Sequence, residues 1–134
     1  MLGYDIDNTL ADVSFTDIYS KKGLYTKYEN AKVLYTPKDK FIAITARGTD
    51  PEVKDITRKW LAKNQPNCEG VFFVGGSEEE KITGKAAIVK RENLDGYVDT
   101  QIKTLSLFEK FGVKGIKLYH LILSTGEVKL YKEL

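Results

Sequence analysis

The chain has 134 residues, 42% hydrophobic and 30% charged, with a net charge of +2. That length holds one domain with a real core rather than two, and the composition excludes a disordered chain. No apolar run nears the ~20 residues of a membrane span, and Lys and Glu are too well mixed to form a nucleic-acid-binding stripe.

Short apolar runs alternate with helical patterns, which predicts an α/β fold with a mainly parallel sheet. The first run, Met1–Tyr4, leads into Asp5-Ile6-Asp7. Residues 11–36 follow, with Tyr19, Tyr25, Tyr28 and Tyr35 among Lys and Asp and no clear helical or strand period. An insertion of this size directly after a strand is expected to form a flap over a site. The second run is Phe41–Ile44, ending at Thr45. Asp50-Pro51-Glu52 then supplies a helix start, with an N-cap, a proline at the first position and an acid in the first turn. Val53, Ile56, Trp60 and Leu61 recur at helical spacing, so this helix runs to about Lys63 with Trp60 and Leu61 in the core.

The third run, Val71–Val74, stops at Gly75-Gly76. Ser77 and Glu80 read as a capping box, but Gly84 interrupts the pattern, and a fresh helix is expected from about Lys85. The fourth run, Leu94–Val98, ends at Asp99. A helix from about Gln101 to Phe111 stops at Gly112, and residues 116–133 read as a hairpin turning through Ser124-Thr125-Gly126.

The chemistry is concentrated in Asp5-Ile6-Asp7-Asn8-Thr9. Two carboxylates two residues apart at the end of a buried strand project into the crevice where α/β sheets bind ligands. Asn8 suits the turn because it tolerates a left-handed backbone. Thr45 and Asp99 end the second and fourth strands, and Lys85 precedes the fourth. In a parallel sheet such strand ends share one rim. Phosphoryl transfer needs a set of this kind: a nucleophile, an acid, a metal and fixed donors for the phosphoryl oxygens. Arg47, two residues after Thr45, has the fork geometry to grip a substrate phosphate. His120 lies in the tail hairpin and reads as structural or exposed, and Cys68, just before the third strand, has no acid–base partner in sequence. The lone Cys68 also excludes an internal disulfide framework, and no secretory leader precedes Met1, so the cytoplasm is the expected compartment.

These motifs resemble the haloacid-dehalogenase-like phosphohydrolase superfamily over about Met1 to Gly112. DIDNTLAD resembles its first motif, AITARG its second, and the stretch from Lys85 through LDGYVD its third and fourth. Thr57, Trp60 and Leu61 after TARG look closest to small 5′-nucleotidase-like enzymes and to the phosphatase domain of phage polynucleotide kinase. The resemblance implies a Rossmann-like three-layer core with a minimal cap and a magnesium cofactor. It implies Asp5 as nucleophile and Asp7 as general acid/base, with Thr45 and Lys85 holding the phosphoryl group. Magnesium would sit on Asp5, Asp99 and the backbone carbonyl of Asp7. Asn8 and Arg47 would contact the substrate, a phosphorylated small molecule or the end of a nucleic acid. Such members often carry an Asp pair at the fourth motif, whereas here Asp99 is followed by Thr100. A receiver-like phosphoacceptor module uses similar residues, but its phosphorylated Asp ends the third strand, and here that strand ends Val74-Gly75-Gly76.

Overall fold

The computed structural model describes residues 1–13, 15 and 18–134. Its strands are β1 (Leu2–Tyr4), β2 (Ala11–Asp12), β3 (Lys32–Val33), β4 (Phe41–Thr45), β5 (Cys68–Phe73), β6 (Tyr97–Asp99), β7 (Lys117–Ile122) and β8 (Glu127–Glu133). Its helices are α1 (Lys21–Glu29), α2 (Pro51–Asn64), α3 (Glu78–Arg91) and α4 (Ile102–Lys110). Six strands form one sheet in the order β5-β4-β1-β6-β7-β8, and β2 and β3 form a separate antiparallel pair. The first five strands of the large sheet run parallel, and β8 returns antiparallel to β7 as the expected C-terminal hairpin.

Alternation along the strands sorts the core into two layers. Phe41, Ala43 and Val98 face Tyr28 of α1 and Val53, Trp60 and Leu61 of α2. Ile44, Tyr97 and Leu118 face Ile82, Ala86 and Val89 of α3 and Leu105 and Phe108 of α4. The parallel strands, ranked by sequence, lie in the order 3-2-1-4-5. The chain reverses its direction of travel across the sheet between β1 and β6. Ligands in such sheets bind beyond the carboxyl ends of the strands at that reversal. Asp5 follows β1, and Asp99 ends β6. Among the described residues no helix is long and apolar enough to cross a membrane.

Three expectations need correction. The segment 11–36 is not devoid of period: Lys21–Glu29 is helical, started by the Ser20 hydroxyl accepting from the Gly23 N–H. Tyr28 is its one fully buried residue, with Leu24 and Tyr25 partly buried against the same core cluster. Gly84 does not break the helix. Glu78–Arg91 is continuous from a complete Ser77–Glu80 capping box, and Lys85 lies mid-helix. A Cβ at Gly84 would stand 3.1 Å from Val74 Cγ1, so glycine serves there to let α3 lie close against the end of β5. The fourth strand begins at Tyr97 rather than Leu94. At Gly96 a Cβ would meet the Lys117 carbonyl at 2.6 Å, because the start of β7 lies close alongside the residue before β6.

Candidate active site

A cleft of about 540 Å³ opens over the carboxyl ends of β1, β4 and β6, lined by Asp5, Asp7, Arg47, Lys81, Lys85 and Asp99 among others. The two carboxylates of the first motif have separate cations. Asp5 accepts from Lys85 Nζ at 3.0 Å through Oδ1 and from the Thr9 hydroxyl at 3.3 Å through Oδ2. Lys85 enters from the α3 layer and is 3% exposed, so its charge is held by partners rather than by water.

Asp7 turns to the other layer. Arg47 Nη2 and Nε donate to its Oδ1 at 2.6 and 3.1 Å, Nη1 donates to the Thr57 hydroxyl at 2.9 Å, and the guanidinium carbon stands 3.9 Å from the centroid of the Tyr28 ring. With its side chain 1% exposed, Arg47 is committed to Asp7, Thr57 and Tyr28. The fork that the sequence offers to a substrate phosphate is here turned to Asp7 and Thr57. Burial nevertheless pushes Asp7 above the usual carboxylate range, outweighing the Arg47 charge that pulls it down.

Asp99 is 1% exposed. Its Oδ1 accepts from the Gln101 N–H at 2.9 Å and its Oδ2 from the Tyr97 hydroxyl at 2.7 Å. Burial, and then the neighbouring Asp5 charge, push it up to about 7. Tyr97 is fully buried, and its oxygen also receives Lys85 Nζ at 2.6 Å. Residues 97 and 99 share a face of β6 by strand alternation, the face against which α3 brings Lys85.

The remaining sequence candidates are less directly placed. Thr45 is fully buried and its hydroxyl accepts from the Arg47 N–H at 3.3 Å, so in this conformation it braces the Arg47 turn and does not line the cleft. Asn8 has the expected left-handed backbone, φ 62°, but borders a separate hollow with Thr100 and His120. Thr100, where a second carboxylate was expected, donates to the Asn8 carbonyl at 2.8 Å and ties the first-motif loop to β6. Asp95 sits at the opposite rim and accepts from the Met1 amine. His120 Nε2 lies 3.1 Å from the Thr100 carbonyl, and burial raises the Cys68 thiol, which leaves it unreactive.

Tyr25, Tyr28 and Tyr35 of residues 11–36 are engaged within the fold rather than offered as faces for a base. Tyr28 is buried under Arg47, Tyr35 stacks on Tyr4 at 6.2 Å, and the Tyr25 hydroxyl donates to Asp50. The exposed ring at the cleft is Phe15, 54% exposed and edge-on to Tyr28. Tyr97, Thr57 and Phe15 were not singled out from the sequence as site residues. A signal for Tyr97 was present: a hydroxyl two residues before Asp99 must share its face.

No protein-family model and no curated protein matches this chain.

For a hard cation the cleft offers Asp5 and Asp99. Among the described residues no three His, Cys, Asp or Glu side chains gather into a ready-made cage. Magnesium suits such a sparse donor set, since it keeps several waters and takes one or two carboxylates. Four carboxylates (Asp5, Asp7, Glu78, Asp99) line the cleft against three cations (Arg47, Lys81, Lys85). Burial holds protons on Asp7 and Asp99 to higher pH than usual, so the lining carries a net negative charge only when all four carboxyls are ionised.

Proposed function

We propose that the chain is a magnesium-dependent phosphomonoester hydrolase of haloacid-dehalogenase-like type, with a Rossmann-type core, working through a phosphoaspartyl intermediate on Asp5. The observation that carries this reading is the pairing of Asp5 with a buried Lys85 at 3.0 Å, at the strand reversal and beside Asp99. Asp5 presents a carboxylate oxygen at the cleft, and Lys85 offers a fixed positive charge where phosphoryl oxygens would lie.

In the first step an Asp5 oxygen forms a bond to phosphorus as the bond to the leaving oxygen breaks, and Asp7 gives that oxygen a proton. In the second step Asp7 takes a proton from water as the water oxygen attacks phosphorus. Inorganic phosphate leaves and the Asp5 carboxylate is restored. Burial at Asp7 favours its holding a proton for the first step, while Arg47 fixes the direction of its carboxyl. Magnesium on Asp5 and Asp99 would supply positive charge against the phosphoryl oxygens and favour the ionised form of Asp99. The role of Thr45 as a phosphoryl donor rests on the resemblance of its motif alone.

The open mouth and the exposed Phe15 ring favour nucleotides or nucleic-acid ends over sugar phosphates. The commitment of Asp7 to Arg47 favours one second reading, a module that binds phosphorylated ligands without turnover. A receiver-like module is disfavoured, because such domains order their strands 2-1-3-4-5. The deciding experiment is steady-state hydrolysis of an aryl phosphate with magnesium, with and without chelator. Multiple metal-dependent turnovers, lost in Asp5→Asn, support the hydrolase. Binding of phosphate without turnover supports the module.

A further inference from the structure

We propose that Tyr97 is a positioning residue that locks Lys85 and Asp99 into one unit facing Asp5. For its activity readout this rests on the hydrolase reading; for its geometry it does not.

The Tyr97 hydroxyl lies between Lys85 Nζ at 2.6 Å and Asp99 Oδ2 at 2.7 Å with no exposure to solvent. A phenol has one proton to give, and here the direction is set by its neighbours. The ammonium can only donate and the ionised carboxylate only accepts, so with Asp99 ionised the chain runs from Lys85 through the hydroxyl to Asp99. The ring itself is fixed. It packs on Phe108 with centroids 5.2 Å apart, and its backbone is paired with Gly3 on one side and Leu118 on the other. Tyr97 does not line the cleft, so it acts through its two partners rather than on a ligand.

A phenylalanine would fill the same core space without burying an oxygen. The hydroxyl accounts for itself only through what it holds. Lys85 has two described acceptors, Asp5 and Tyr97, and the second stops the ammonium from swinging about the first. Asp99 has two described donors, the Gln101 N–H and Tyr97, which together fix the plane of its carboxyl. One atom therefore sets both the cation that faces the phosphoryl group and the carboxylate on the metal side.

The test is Tyr97→Phe, read in three ways. In the wild type the Lys85 side-chain ammonium should give a slowly exchanging nitrogen-15 signal, because its protons are held away from water. Tyr97→Phe should broaden or lose that signal, while the melting temperature shows the fold retained. Asp99→Asn, which keeps ring and hydroxyl, should shift it. Magnesium affinity, titrated calorimetrically without substrate, should weaken severalfold in Tyr97→Phe. Turnover should fall at least ~10-fold, the scale of losing a hydrogen bond between charged groups. In a Lys85→Ala background the same change should cost less than it does in the wild type, since the lysine it holds is gone and only its bond to Asp99 remains. An unmoved Lys85 signal in both variants would overturn the proposal, as would an equal fold-loss in the Lys85→Ala background. If the wild type binds magnesium but hydrolyses nothing, the hydrolase reading fails, and the ammonium signal and the magnesium titration still decide the part played by Tyr97.

Discussion

Asp5 and Lys85 lie 80 residues apart in the chain and 3.0 Å apart in the fold. The first follows the central strand and the second comes from the middle of α3. Both side chains are largely covered, 14% and 4% exposed, so each charge depends on the other.

Asp5→Asn should abolish turnover, measured as phosphate release above the no-enzyme rate. Because the carboxylate is also the anionic partner of Lys85, the variant should lose roughly 1–3 kcal/mol in urea unfolding while staying folded. More than a trace of wild-type turnover would rule out Asp5 as nucleophile. Asp7→Asn should lose far less on an aryl phosphate than on an alkyl one, since a good leaving group needs little protonation.

The three nearby lysines should separate cleanly. Lys85→Ala should cost orders of magnitude in kcat and should also destabilise, because Asp5 and Asp99 lose the cation between them. Lys90→Ala, exposed at the end of α3, should be silent, and Lys81→Ala should cost little. A severe loss at Lys81 in place of Lys85 would move the phosphoryl anchor one turn toward the start of α3.

The pH dependence follows from Asp99. Its folded value of about 7 lies above the ordinary carboxylate range, so between pH 4 and 7 the folded chain holds a proton that the unfolded chain has released. With respect to this group, metal-free protein should therefore be most stable below about pH 4, and should lose that stability progressively as pH rises from 4 through 7. Asp7, also raised, adds in the same direction. Magnesium competes with the Asp99 proton, so its stabilising effect in thermal melts should be larger at pH 8 than at pH 5.5. Equal magnesium effects at both pH values would place the cation away from Asp99.

For substrate, Phe15 is the ring to remove. Phe15→Ala should raise the KM for a nucleoside monophosphate about 5-fold, the lower end of base stacking, with little change for glycerol phosphate. Tyr25→Phe should change neither, because its hydroxyl serves Asp50. A matching loss on both substrates would assign Phe15 to packing.

Much of this arrangement was legible in the sequence, and the omissions share a cause. Apolar runs gave the strands, and Asp50-Pro51-Glu52 gave the start of α2, because local chemistry decides both. Asp5, Lys85 and Asp99 are brought together as expected. The fate of Arg47 was not legible, because its partners Asp7 and Thr57 lie 40 and 10 residues away and nothing local signals that they fill its fork. Gly84 misled for a similar reason. Its local cost to a helix is real, but the close approach of Val74 that offsets it belongs to another element. Helix α1 was missed because its packed residues, Leu24, Tyr25 and Tyr28, span little more than one turn and leave only a short periodic trace.

The tie from Thr100 to the Asn8 carbonyl, spanning 92 residues, has a consequence for how the protein comes into being. The cleft draws its groups from the ends of β1 and β6, the turn after β4 and the middle of α3, and no single stretch of chain holds more than part of it. On the ribosome the β1 carboxylates emerge first and wait until β6 can pair beside them. Parallel pairing over such a separation is slow, because loop-closure entropy is lost before the contacts form. Activity in a refolding experiment should consequently appear as a single late phase, after helix signals have recovered. A nascent chain stopped before Tyr97 should hold neither half of the site in working order.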